Sequence, residues 1–505
     1  MPNCVLMMGT LDMSTLHSFT SHHGSIDQTR LTMINSPSEK SCIYSRNKSI
    51  VSALLLVILI MAGCAHYPVN EPLSHYDPGS GYRETSMGVP DNSDELLLYL
   101  TFSGGGTRAA ALSYGVLEEL RKTEVTIDGK KHRLLDEVDV ISAVSGGSFT
   151  AGYYGLFGER IFEDFEGKFL KKNIEGILAA SLLLNPYNWV RDSSPYFGRS
   201  DLAAEYYDNH VFDHGTFEDI LQRKGPMIHI NTTDMVAGVR FSFNQDSFDI
   251  LCSDVSKFPV ARAAAASSAV PMLLTPITLH NYAGTCGFQL PVQLEKALME
   301  KRTSSRQYHL AGDISHYLDA EQTRYIHVVD GGVADNLGVW AVLDRTEASG
   351  SFWNTLKATH TENAHKVAFI VVDAETAVNR DIYLSGVIPG FGEMLSSYSS
   401  IGIERYNYES IMVLYESFGR WSEEIRRIRC GDKPISTEAG ACGDIKFYLI
   451  LVQFDALKDE AERHYFKTLP TSFKLSDEQV DKLRDAAHRI LSESEEFQRF
   501  LRDLQ

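Results

Sequence analysis

Basic residues are in deficit. Across 505 residues, 47 lysines and arginines face 66 aspartates and glutamates, a net charge of −19. That balance argues against a basic surface for nucleic acid and gives no net-charge attraction to anionic lipid. No apolar run reaches the ~20 residues that span a bilayer comfortably. There is no internal repeat and no long low-complexity stretch. No metal-ligand pattern stands out, so neither a metal nor another cofactor is expected. Cysteine is scarce, with 7 in the chain. What is present is apolar bulk: 44% of the residues are hydrophobic and 10% aromatic, ample for one large α/β domain with additions.

The N-terminal region has the features of an export signal. Residues 50–63 are apolar, Arg46 and Lys48 precede them, and Ala62 and Gly63 lead into Cys64. A basic region, a short apolar region and small residues at a junction make a secretory signal; a membrane anchor or a buried helix is the alternative. Met61-Ala62-Gly63-Cys64 resembles the lipobox of bacterial lipoproteins, with Met61 in place of the usual leucine. That resemblance implies an acylated Cys64 as the mature N-terminus. Ala65 is not the aspartate associated with inner-membrane retention, so the implied location is the envelope, at the outer membrane. Signal peptides rarely follow so much polar sequence, and Met33 is the expected start. Residues 1–32 are then an extension outside the protein, 33–63 the signal peptide and 64–95 a tether rich in Pro, Gly, Ser and Asp. Four cysteines remain beyond Cys64. In an oxidising compartment the pairs Cys252–Cys286 and Cys430–Cys442 are expected, since each closes a local loop; buried thiols are the alternative.

Downstream, continuous apolar runs alternate with glycine turns. Leu96–Phe102, Val138–Val144, Met227–Ile230, Tyr325–Val329 and Val367–Val372 each read as a buried parallel strand. Helices are expected over Ala109–Leu120 and from about Ser148. Strand, glycine turn and helix in repetition predict a three-layer α/β fold, a mainly parallel central sheet with helices on both faces. Ligands of such sheets bind at the C-terminal ends of the strands. Residues 96–375 form the expected core and 376–505 a C-terminal extension packed on it, closed by a charged, solvated helix from Ser476. Phe165–Val190 and residues 381–400 are apolar stretches that read equally as interfacial elements or as ordinary core helices.

Three turns carry the chemistry. Ser145 follows a strand and precedes Gly146-Gly147, the small-residue setting that a nucleophile elbow needs. It also stands at a helix N-terminus, where free amides favour developing negative charge. Gly104-Gly105-Gly106 lets backbone amides converge without Cβ hindrance, as an oxyanion hole requires. The alternative, a phosphate-cradling loop, lacks the nucleotide-binding spacings. Arg108 can orient that loop, meet an anionic head group or sit in a structural ion pair. Asp330 ends a strand before Gly331-Gly332 and can serve as the base for Ser145; an ordinary Asp-Gly turn is the alternative. Asp335 and Asn336 read as helix caps.

These residues resemble the patatin-like phospholipase family. Gly104-Gly105-Gly106-x-Arg108 resembles its oxyanion motif, Ala143-x-Ser145-x-Gly147 its G-x-S-x-G with the first glycine replaced, and Asp330-Gly331-Gly332 its D-G-[GA]. Asn231-Thr232-Thr233-Asp234 and Ala263–Pro271, with Ser267-Ser268, are also similar. The resemblance implies a Ser145–Asp330 dyad without histidine or metal. It implies lipid acyl esters as substrates, in the manner of a phospholipase A or lysophospholipase. A Ser-acid-His triad drawing on His360, His365, His464 or His488 stays open. So do acyl transfer, another carboxylic ester as substrate, and a non-catalytic lipid-binding envelope lipoprotein.

Overall fold

A computed structural model describes residues 65–86, 92–127, 129–271, 273–376, 380–384, 386–431 and 445–505. The expectations for the signal run, for Met33 and for Cys64 lie outside the described residues, as does that for Cys442.

The centre is an eight-stranded sheet. Its strands are β1 (Leu96–Phe102), β2 (Val138–Val144), β3 (Met227–Asp234), β4 (Arg240–Ser242), β5 (Ile277–His280), β6 (Tyr325–Asp330), β7 (Lys366–Asp373) and β8 (Lys446–Gln453). Their spatial order is β8-β7-β1-β2-β3-β6-β5, with β4 paired to β3. The five strands from β8 to β3 are mutually parallel. Every residue of β1 is buried, as expected for a strand covered on both faces.

Alternation along β8 shows the two outer layers. Phe447 meets Phe418 of α6 (Phe391–Cys430), whereas the next residue, Tyr448, meets Phe500 of α8 (Glu495–Leu504) on the other face. On the α8 side, α1 (Gly106–Lys122) packs against α2 (Gly146–Phe157) and α7 (Asp477–Glu493). Arg484 of α7 forms a two-bond ion pair with Glu118 of α1. The expected three-layer, mainly parallel α/β fold is what the chain adopts.

Several expectations are corrected. β6 is antiparallel to β3, not parallel: Asp330 stands opposite Thr232 and Val328 opposite Asp234. It therefore descends from beyond the sheet, and only its last residues reach the level of Val144, which pairs with Asn231. The core does not end at residue 375, because β8 completes the sheet. The closing helix is two helices, α7 and α8, whose apolar faces are buried through Leu483, Ile490, Phe497 and Phe500. Much of the expected tether is part of the body: Tyr82 is fully buried, Arg83 pairs with Asp246 and Asp249, and Glu84 with His229. Phe165–Val190 divides in two. Phe165, Phe169 and Ile174 are buried, while Leu183, Leu184, Tyr187 and Trp189 are exposed. Cys252 and Cys286 are joined by a disulfide. Cys430 is buried at the end of α6.

Candidate active site

Ser145 closes β2 and opens α2. Its backbone, φ 49° and ψ −118°, lies where a side-chain-bearing residue costs of order 1–3 kcal/mol. Neighbours hold the turn. Ser145 N–H donates to Ser267 Oγ at 2.8 Å, and Ser267 donates in turn to the carbonyl of Asn231 at 2.6 Å. The hydroxyls of Ser148 and Ser267 share a bond of 2.9 Å. A Cβ on Gly146 would stand 2.0 Å from the Gly106 carbonyl oxygen, so the elbow and the glycine loop can touch only because that side chain is absent. Ala143 is buried in β2 between Phe102 and Ile230, where a methyl group fits.

Ser145 Oγ donates to Asp330 Oδ2 at 2.9 Å. Gly332 N–H donates to the other carboxylate oxygen at 2.8 Å, and Thr233 Oγ1 to the Asp330 carbonyl at 2.9 Å. Burial pushes the Asp330 carboxyl from 3.8 up to about 6, while the bonds from Gly332 and Ser145 oppose that rise. The group is thus a stronger base than an exposed aspartate, and it can still be ionised at neutral pH. None of His360, His365, His464 and His488 hydrogen-bonds to Ser145 or Asp330 among the described residues. His365 stands at the start of β7, at the opposite end of the sheet, and His488 pairs with Glu119.

The glycine loop follows β1 directly. Ser103 N–H donates to Val372 at 3.0 Å, and Thr107 N–H to the carbonyl of Ser472 at 2.9 Å. Of the three amides expected to face an oxyanion, that of Gly104 is committed elsewhere: it donates to the Asn336 carbonyl at 3.1 Å. Gly104 fits against Asn336, since a Cβ there would lie 2.5 Å from Asn336 Oδ1. The N–H groups of Gly105 and Gly106 make no bond to the described residues, and Gly105 has φ 139°, which glycine alone adopts readily. Of the three glycine amides, those two are uncommitted among the described residues.

Arg108 makes its bonds within the protein. It is buried and donates to the carbonyls of Ala374 and Leu469 and to Thr471 Oγ1. Desolvation lowers it to about 10, against the attraction of Asp373 and Glu375. Asp335 caps the chain before α5 (Trp340–Ser349) by accepting from Gly338 and Trp340. No local pattern marks Asn336 or the stretch Leu469–Ser472 as partners of the glycine loop. The serine pair Ser267-Ser268 was visible, but not the contact with Ser145. A cavity of about 630 Å³ opens elsewhere, beside His229, Arg240, Trp340 and Arg345; neither Ser145 nor Asp330 lines it.

A family described as patatin-like phospholipase matches the sequence over residues 100–343, a span that contains the glycine loop, Ser145 and Asp330. Residues 100–343 belong to the patatin-like phospholipase family. No curated protein matches the chain. Among solved structures the chain is similar to human GIVD cytosolic phospholipase A2, at 13% identity and TM-score 0.40, covering 81% of this chain and 62% of that one. The same human protein in complex with methyl γ-linolenyl fluorophosphonate gives 12% identity and TM-score 0.37, covering 81% of this chain and 59% of the other. The chain thus spans about three fifths of the length of those two. The patatin match ends before β7 and β8, so the central sheet extends beyond the matched region.

Proposed function

We propose that this chain is a serine-dependent lipid acyl hydrolase of the phospholipase A or lysophospholipase type, with Ser145 as nucleophile and Asp330 as its base. The observation that carries the reading is the 2.9 Å bond from Ser145 Oγ to Asp330 Oδ2, beside two amides that make no bond to the described residues. Ser145 Oγ attacks the ester carbonyl carbon while its proton passes to Asp330. The carbonyl oxygen, now negative, is held by the N–H groups of Gly105 and Gly106; each such donor contributes roughly 2.7–4 kcal/mol of barrier lowering. Asp330 returns the proton to the departing alcohol. Water then attacks the acyl-serine with Asp330 again as base, and the fatty acid leaves as Ser145 recovers its proton. In this reading the protein is exported and held in the bacterial envelope, at the outer membrane, through an acylated Cys64; the apolar run 50–63 and the Met61–Cys64 junction support it.

The test is fatty-acid release from mixed phospholipid vesicles by the wild type, Ser145→Ala and Asp330→Asn. Release by the wild type alone is expected, together with fluorophosphonate labelling at Ser145. Equal background from all three proteins refutes hydrolysis of these lipids. Acyl groups recovered on an added alcohol rather than on water identify an acyltransferase instead.

A further inference from the structure

The helix α6 is longer than the sheet it covers, and its excess length lies on the side of Ser145. Near its C-terminus, Arg429 donates to the carbonyls of Glu362 and Ala364, just before β7 begins. Midway, Phe418 stacks on Phe369 of β7. Asn407 Nδ2 reaches Asp373, the last residue of β7, at 3.3 Å. The helix therefore runs antiparallel to β7 and passes its C-terminal end at Asn407. The part from Phe391 to Tyr406 continues beyond the strand, roughly 24 Å of helix at ~1.5 Å per residue. It is reached from Ala374, whose carbonyl lies beside Gly105. The short helix Gly332–Asp335, directly after Asp330, packs on α6.

Several apolar side chains leading into this extension and along it are exposed. Tyr383, Leu384 and Ile388 are more than four-fifths exposed, and Met394 and Ile401 about half. From Tyr383 to Ile403 the sequence has a single charged residue, Glu393, in a chain where 22% of residues are charged. Exposed aliphatic and tyrosine side chains with so little charge suit the boundary of an uncharged bilayer.

The start of the described chain points the same way. Ala65 is held by Ser194 Oγ, and Tyr67 N–H by the carbonyl of Tyr196 at 2.7 Å. Asn70 then brackets His280 with bonds of 2.7 and 2.9 Å. His280 pairs with Tyr325 of β6, which lies outward from Val328 and so beyond the end of β3. The chain thus enters on the same end of the sheet as Ser145. Ala65 directly follows Cys64, the acylation site of the proposed anchor, in the sequence.

We propose that the exposed side chains of Tyr383, Leu384, Ile388, Met394 and Ile401 dip into the bilayer and seat the Ser145 site on the membrane surface. This rests on the lipid-hydrolase reading, because a lipid ester must pass from the bilayer to Ser145. The apolar segment replaces water at the mouth and shortens the path of an acyl chain.

The test uses the full chain. Ile388→Trp is mixed with phosphatidylcholine vesicles whose acyl chains are brominated, with the wild type as background. Quenching of the added tryptophan is expected; solvent-like, unquenched emission overturns the proposal. Leu384→Asp/Ile388→Asp is then assayed on phosphatidylcholine vesicles and on soluble p-nitrophenyl butyrate. Vesicle turnover should fall more than about tenfold, with the soluble ester unchanged. An equal fall on both esters, or no fall on vesicles, overturns the proposal. So does a dimer that this double substitution splits, since the segment would then face a second copy. If the wild type hydrolyses neither ester, the hydrolase reading fails, while the quenching still decides the surface.

Discussion

Replacing Asp330 with asparagine should abolish turnover and yet stabilise the folded protein, but only at higher pH. The carboxyl is buried with two hydrogen bonds, from Ser145 and Gly332. Burial raises it from 3.8 to about 6. A group whose folded value lies above its unfolded value favours the folded state when protonated. Ionisation therefore costs nothing below about pH 4, grows as pH rises between the two values and reaches its full extent above about pH 6. Two pH units at about 1.4 kcal/mol each set that cost at about 3 kcal/mol. An asparagine accepts from Gly332 and faces Ser145 without ever ionising. Urea unfolding of the two proteins should give equal midpoints at pH 4 and a higher midpoint for Asp330→Asn at pH 8. Other raised carboxyls such as Asp335 and Asp373 are present in both proteins and cancel in the difference. The wild-type rate on a soluble ester should fall as pH drops through about 6, tenfold per unit below it. A gain that is the same at both pH values, or a rate midpoint near 4, refutes the argument that burial sets this base.

Three further changes test the supports of the site. Gly146→Ala places a methyl group 2.0 Å from the Gly106 carbonyl; the glycine loop must move, and turnover should fall by about 10²–10³, the loss seen when an oxyanion donor is misplaced. Ser267→Ala leaves the buried Ser145 N–H without its acceptor, a cost of about 1–3 kcal/mol, and should lower kcat more than it changes KM, read by urea unfolding and steady-state kinetics. Peptide mapping should recover Cys252 and Cys286 in one joined species until a reductant is added; by loop-closure entropy, reducing that bond should cost about 3–4 kcal/mol of stability.

The legible part of this protein is its local part. Ser145, Asp330 and the glycine loop announce themselves because each is a strand-turn-helix junction written in fewer than ten consecutive residues. The buried strands are legible for the same reason: Leu96–Phe102 and Val138–Val144 have the bounds expected of them. Strand direction is another matter. Tyr325–Asp330 is as apolar as its parallel neighbours, and only its pairing with Thr232–Asp234 makes it antiparallel. The apolar faces of α7 and α8 were hidden in a charged composition, because burial there depends on helical spacing rather than on the number of charges.

The contacts that set the oxyanion loop are further still from local reading. The Gly104 amide is taken by Asn336, and Thr107 and Arg108 are held by Leu469, Thr471 and Ser472, more than 350 residues along the chain. A run of three glycines tells that backbone amides can converge; it does not tell which of them the fold leaves open. Asn336 makes that choice by taking the Gly104 amide, while the buried Arg108 ties the next turn to a C-terminal loop and to a carbonyl past β7. Residues beyond the patatin match, Ala374 and the stretch Leu469–Ser472, therefore join Asn336 in fixing the glycine loop beside Ser145.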